Sequence, residues 1–237
     1  MFALKKCCRI RHPIPLNFYI TPMPPKHFAL AVLFFAFFAC SGDNTFTYGG
    51  QTYKTVKICE QVWFAENLNY EAEGSVCYDN NPDNCAKYGR LYNWETAMKV
   101  CPEGWHLPSN DEWDELYRFA DFPRTFLHPS NQIADENLKA ARGWHSSSGN
   151  GKDKYGFSAL PGGCGRSEGR FKDVDEFGEW WSSSENENHN NKAYIYRING
   201  GFVNWSIYKG DLSSVRCLQD GSAKCPCKCI NAIDVPP

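Results

Sequence analysis

Alternation of apolar and polar positions starts at residue 46. Phe46-Thr47-Tyr48, a Gly49-Gly50 turn and Thr52-Tyr53-Lys54-Thr55-Val56-Lys57-Ile58 carry the two-residue period and β-branched content of a hairpin. Gln61-Val62-Trp63-Phe64-Ala65 reads as a third strand. The period then turns helical: Trp94, Ala97, Met98 and Cys101 predict a short helix over residues 93–100, stopped by Pro102 and Gly104. Ser109 and Glu112 form a Ser-x-x-Glu capping box, which predicts a second helix over residues 110–120. Its Trp113, Leu116, Tyr117 and Ala120 face a core, and Asp114, Glu115 and Arg118 face water. Capping accounts for Glu112 and the helix dipole for Asp111, so neither is needed as a general acid or base. Asn137-Leu138-Lys139-Ala140-Ala141 reads as a short turn, and the remainder to Leu218 as short strands with long loops. Trp144-His145-Ser146-Ser147-Ser148 echoes Trp180-Trp181-Ser182-Ser183-Ser184, but no period persists across the chain.

The amino end follows a different pattern. Lys5, Lys6, Arg9, Arg11 and Lys26 precede an apolar run over residues 28–39. A membrane span needs roughly 20 apolar residues, and signal-peptide cores run roughly 7 to 15, so the run fits a signal peptide. It ends in Phe37-Phe38-Ala39-Cys40, similar to a bacterial lipobox with Phe37 in place of the usual Leu. Residues 1–39 are therefore expected to be a signal peptide, with Met23 as an alternative start, and Cys40 the lipidated anchor of a tether over residues 40–45. The competing reading is an ordinary cleavage near Ala39 that leaves Cys40 an incidental thiol. Either way the expected location is outside the cytoplasm; the lipid places it on the outer membrane or cell surface.

Removing 39 of 237 residues leaves 198 and takes away five basic residues and no acidic ones, so the net charge becomes (25 − 5) − 27 = −7. Nucleic acid is disfavoured as a partner. A chain of this length buries one substantial core, assigned to residues 46–220. The 15% aromatic content is accounted for first by that core, and only secondarily by sugar-stacking surfaces. Residues 221–237 read as a flexible Cys-rich tail.

Of twelve cysteines, Cys7 and Cys8 leave with the signal segment and Cys40 takes lipid. Cys59, Cys77, Cys85, Cys101, Cys164 and Cys217 remain in the domain. An even set in an exported chain without Cys-x-x-Cys predicts disulfides rather than a metal site. Several pairings stay open; Cys77 and Cys85, flanking the turn-rich Tyr78-Asp79-Asn80-Asn81-Pro82-Asp83-Asn84, favour a small closed loop. In the tail, Cys225, Cys227 and Cys229 alternate without a His, which favours disulfides over a soft metal. No metal and no cofactor is expected.

Six ordered blocks carry a resemblance. They are Gln61-Val62-Trp63-Phe64-Ala65-Glu66-Asn67-Leu68, Cys85-Ala86-Lys87-Tyr88-Gly89-Arg90-Leu91-Tyr92, Cys101-Pro102-Glu103-Gly104-Trp105-His106-Leu107-Pro108-Ser109, Tyr155-Gly156-Phe157-Ser158-Ala159-Leu160-Pro161-Gly162-Gly163, Trp180-Trp181-Ser182-Ser183 and Ser214-Val215-Arg216-Cys217. Together they resemble the Fibrobacter succinogenes major paralogous domain, often found on exported lipoproteins, over about residues 48–220. The resemblance implies an α+β, C-type lectin-like fold: two short helices on small twisted antiparallel sheets, with long loops, close chain ends and disulfides. The Trp-x-Leu-Pro helix start is also similar to that of formylglycine-generating enzymes. By the same analogy Cys101 and Cys217 would form a long-range bridge. Cys59 and Cys164 lie outside the family's usual cysteines, and their joint presence suggests a pair.

The fold alone names no activity. Calcium-dependent lectins carry Glu-Pro-Asn or Gln-Pro-Asp followed by Trp-Asn-Asp; here Asn81-Pro82-Asp83 lies too early and Val203-Asn204-Trp205-Ser206 has the wrong order. Formylglycine-generating enzymes need a cysteine pair near the carboxyl end, where this chain offers Cys217 alone before the tail. No Ser-His-Asp order or nucleophile elbow stands out, and the six His are scattered. The expectation is a non-catalytic surface binding or adhesion module, for plant polysaccharide or another glycan. A protein-interaction or structural envelope module is the alternative, and an oxidoreductase the third reading. The candidate ligand contacts are Arg166, Arg170, Phe171, Asp173, Asp175 and Glu176 in one loop, each also readable as solvated loop, with Trp205 and Tyr208 as a stacking platform. Alternation of Trp205 with Val203 and Ile207 reads first as a core face.

Overall fold

The computed structural model describes residues 44–121, 132–145, 149–198 and 203–224. The apolar run over residues 28–39, Cys40 and the tail cysteines 225, 227 and 229 lie outside the described residues. No helix among the described residues is long and apolar enough to cross a membrane.

The strands and helices follow in chain order. β1 (Thr45–Tyr48), β2 (Gln51–Ile58) and β3 (Gln61–Phe64) open the domain as a meander. Gly49 and Gly50, with φ of +57° and +77°, make the two-residue turn that sets the register Tyr48↔Gln51. Next come β4 (Ser75–Val76), a 3-10 turn (Tyr78–Asn80), α1 (Pro82–Tyr88), β5 (Leu91–Tyr92), α2 (Trp94–Ala97), β6 (Trp105–His106), α3 (Asn110–Ala120) and α4 (Gln132–Leu138). The second half is β7 (Gly162–Gly165), β8 (Phe171–Val174), β9 (Gly178–Glu185), β10 (Lys192–Ile198), β11 (Val203–Tyr208), β12 (Ser213–Ser214) and β13 (Leu218–Gln219).

These strands make two curled sheets. The smaller has the order β1-β2-β3-β13-β6, so the last strand inserts between the third and sixth and brings the two ends of the domain together. The larger runs β11-β10-β9-β12-β5-β4, with β7 pairing β8 and β9. Most pairs are antiparallel, but β12 and β7 lie parallel to β9, so the larger sheet is mixed. The class is α+β.

Two apolar clusters share strands as walls. Successive residues of a strand point to opposite faces, and Trp63 and Trp180 enter one cluster with Trp113, Phe157 and Tyr196, while Phe64 and Trp181 enter the other with Tyr92, Ile195 and Val215. Trp63, Trp113, Trp180 and Trp181 are fully buried, so much of the high aromatic content is core.

Helix α3 spans the residues expected of it: the Glu112 carboxylate accepts from the backbone N–H and the hydroxyl of Ser109, both at 2.8 Å. The other helices differ from expectation. Among the described residues there are four rather than two. Residues 82–88 form a helix inside what reads as a turn-rich loop, because Asn81 accepts from Asp83 N at 3.0 Å and Pro82 takes the first helical position. The expected turn at residues 137–141 is the exit of α4. Helix α2 is a single turn capped by Asn93, shorter than residues 93–100.

Disulfides join Cys77 to Cys85 and Cys101 to Cys217, with Cα–Cα distances of 5.0 and 5.7 Å. The expected Cys59–Cys164 pair does not form. Cys164 is a free thiol buried in β7, whereas Cys59 sits at φ +54° in the β2–β3 turn and is bonded to a partner outside the described residues.

Candidate functional site

The site rests on a buried polar frame. Arg216, fully buried beside the Cys101–Cys217 bridge, donates from Nε to Asn67 Oδ1 at 2.9 Å and from Nη2 to the Ser158 carbonyl at 2.8 Å, and its Nη1 donates to the carbonyls of Phe64 and Phe157. The guanidinium also lies 4.3 Å from the Phe157 ring centroid. All these acceptors are neutral, and burial lowers its pKa to about 9, so it stays protonated at neutral pH. Asn67 joins the parts: its Oδ1 also accepts from Trp180 Nε1 at 2.8 Å, and its Nδ2 donates to the Tyr88 carbonyl at 2.8 Å, where α1 ends. At the other edge, His106 faces Asp220 Oδ1 through Nδ1 at 2.6 Å and Glu112 Oε1 through Nε2 at 3.0 Å. Those bonds, the one to Glu112 first, raise the imidazole pKa.

The loop and strand residues expected to meet a ligand separate into several environments. Arg166 pairs with Asp211 at 3.1 Å, and Asp211 also accepts from Ser167 N at 3.1 Å. Phe171 packs on Tyr78 with ring centroids 5.3 Å apart. Arg170 pairs only with neighbouring Glu168, on an exposed turn. Asp175 accepts from Tyr88 Oη and lies 3.6 Å from Lys87 Nζ. Glu176 is exposed, its backbone N–H donating to the Asp173 carbonyl.

Asp173 lies 3.7 Å from Arg197, whose guanidinium is held by buried Glu179 and sandwiched between Phe177 and Trp205 at 4.5 Å from each centroid. Trp205 is 41% exposed and so is not the core residue its spacing suggests, because β11 is the outer strand of its sheet. Tyr208, 55% exposed, lies three positions on and points to the opposite face of β11, so the two rings do not make one platform. Cys164, under this cluster, has its thiol pushed up to about 12 by burial.

A larger concavity lies elsewhere, on residues that spacing does not single out. A cleft of about 680 Å³ opens between the end of β1, residues 70–74 and α2, lined by Tyr48, Tyr70, Glu73, Asn93, Glu95 and Lys99. Tyr48 and Tyr70 pack in a tilted arrangement with centroids 4.6 Å apart and planes 30° from parallel. A second hollow of about 220 Å³ is walled by Val76, Asn80, Arg166, Phe171 and Leu212. Gly74 and Asn93 line both, so the hollows adjoin. Gly74 has φ of +80°, and a Cβ there would lie 2.4 Å from Asn93 Nδ2, so the backbone passes only because this residue is glycine. The groove thus takes two of the expected residues, Arg166 and Phe171; its larger hollow is lined wholly from the amino-terminal half, and its smaller one also by Ser167, Gly169, Gly210 and Leu212. No local pattern marks Tyr48 or Tyr70; the β1–β2 hairpin and the path of residues 68–74 bring them together.

Among the described residues, no group of three or more His, Cys, Asp or Glu side chains is placed to hold a metal ion. A family model described as the Fibrobacter succinogenes major domain matches residues 56–219. Neither the curated proteins nor the solved structures contain a match to the chain.

Proposed function

The chain belongs to the Fibrobacter succinogenes major domain family, and from that premise we propose that it is an exported lipoprotein, anchored through Cys40, whose domain is a non-catalytic surface module for glycan binding and adhesion. The observation that carries the reading is the 680 Å³ cleft, within the size range of ligand sites, with two tyrosines packed at a tilt on one wall and amide, carboxylate and ammonium groups on the others. Pyranose rings present an apolar C–H face to aromatic rings and hydroxyls to such polar groups. The thiols fit the same reading: Cys217 is held in a bridge, and Cys164 is buried and protonated at neutral pH.

We read the architecture as a divergent C-type lectin-like fold. Supporting it are the pairing of the last strand with β3 and β6, the capped helix α3 and the long-range Cys101–Cys217 bridge. The glycan site of this reading is independent of calcium.

The mature domain is to be presented to insoluble cellulose, insoluble xylan and a glycan array, with and without chelator. Binding to at least one glycan, unchanged by chelator, is expected; no binding to any would remove the glycan reading and favour a protein partner. Export and anchoring have their own test in the mass of the amino-terminal peptide from membranes, expected to carry acyl chains on Cys40.

A further inference from the structure

We infer that the two hollows meeting at Gly74 and Asn93 form one groove for an internal stretch of a neutral, linear polysaccharide several sugar units long, rather than for a chain end; this rests on the glycan reading above. A chain end calls for one closed pocket. Here two open hollows of about 680 and 220 Å³ share the lining residues Gly74 and Asn93, so a polymer laid across that hydrogen-bonded pair, Asn93 N to the Gly74 carbonyl at 3.0 Å, would reach both. Each hollow has an aromatic wall, the Tyr48–Tyr70 pair in one and Phe171 in the other, so stacking surfaces recur along the path.

The junction carries a hydrogen-bond donor already fixed in place. Asn93 Oδ1 accepts from Thr96 N at 2.9 Å as the cap of α2, which locks the amide, and its Nδ2 lies against Gly74 with no protein partner among the described residues. Thr96 Oγ1 donates to the Glu73 carbonyl at 2.8 Å and holds the strand-side wall against the helix. Preorganised donors of this kind lower the ordering cost of binding.

Charge selects against acidic polymers. Glu73 and Glu95 outnumber Lys99 in the larger hollow, and the one cation of the smaller, Arg166, is already matched by Asp211. The groove has no cationic excess to hold uronates or sulfates, and the chain after residue 39 is itself acidic, at (25 − 5) − 27 = −7. Neutral xylan or glucan backbones suit it.

Calorimetric titration with xylohexaose and cellohexaose, each against its disaccharide, tests the groove. The hexasaccharide of one series is expected to bind at least about tenfold more tightly than its disaccharide, and Tyr70→Ala to weaken it by about tenfold or more. Phe171→Ala should weaken the hexasaccharide severalfold and leave the disaccharide unchanged. A melting curve shows whether Tyr70→Ala folds; if it does not, the double variant Glu95→Ala/Lys99→Ala, on exposed positions, decides by the same criterion. Equal affinity for both lengths, glycan binding that survives all the groove variants, or binding lost instead in Trp205→Ala would overturn the groove while leaving the glycan reading intact. No glycan bound by the unaltered domain would remove both.

Discussion

The edge where β3, β6 and β13 meet and the face that carries the groove are built by different means. The edge is closed by contacts between residues far apart in sequence: Cys101 to Cys217, Arg216 to the carbonyls of Phe64, Phe157 and Ser158, and His106 to Asp220. The groove face is assembled from short elements, with several local ties, Cys77 to Cys85, Asn93 to Thr96 and Ser75 to Ala72, and longer ones in Thr96 to Glu73 and Arg166 to Asp211. Loop-closure entropy favours the closed edge as the larger contributor to stability, which would leave the proposed groove open to substitution at less cost to the fold.

The largest expected effect concerns the bridges. Loop-closure entropy assigns about 5 kcal/mol to a bridge spanning 116 residues and about 2.5 kcal/mol to one spanning eight. Cys101→Ser/Cys217→Ser should therefore lower unfolding free energy in urea about twice as much as Cys77→Ser/Cys85→Ser. Equal losses would place as much of the stability in the groove face as in the closed edge.

Arg216→Met comes next. It removes a buried cation but takes the guanidinium donor from the carbonyls of Phe64, Phe157 and Ser158, while Asn67 Oδ1 keeps Trp180 Nε1, and a loss of about 3 to 5 kcal/mol is expected. Arg216→Lys should recover only part of it, since an ammonium cannot reproduce the planar fork. A loss below about 1 kcal/mol in the urea midpoint series would show that the frame does not depend on this side chain.

The smallest expected effect is a dependence on pH at His106 and Glu112. The folded pKa of His106 is raised above 6.5, so its contribution is complete below about that pH and is lost as pH rises through the folded value. Burial pushes Glu112 up, but hydrogen bonds from His106 and Ser109 outweigh it and hold the carboxyl at about 2, down from 4.5. Its contribution is present above 4.5 and lost as pH falls through about 2. The clamp is therefore strongest between roughly pH 4.5 and 6.5. With the ring 38% exposed, solvent screening limits it to about 1 kcal/mol. His106→Gln should flatten the fall in melting temperature above pH 6.5; an unchanged slope would assign the titration elsewhere.

What the sequence made legible follows the same division. Strands β1 to β3 and helix α3 were readable because their signals are local: a glycine turn between alternating segments, and a Ser-x-x-Glu box before an apolar stripe. Helix α1 was not, since Asn81, Pro82 and Asp83 serve a turn as well as a helix start, and only the fold chooses. Trp205 was read as core because alternation gives a residue's face but not whether its strand is at the edge of a sheet. The extra thiols invited a Cys59–Cys164 pair on count alone, whereas the fold buries one in β7 and puts the other in an outer turn. The groove was least legible of all. Tyr48, Tyr70 and Asn93 come from three segments whose meeting is set by tertiary packing, which no local pattern encodes.

Hydrogen exchange with and without saturating xylohexaose or cellohexaose shows whether the closed frame presents the proposed glycan groove. Slowed exchange is expected in peptides covering residues 70–76, 93–99 and 166–171, with residues 61–65 and 213–219 unchanged. Slowed exchange confined to residues 203–208, or spread over the closed edge while the groove peptides stay unaltered, would contradict that groove.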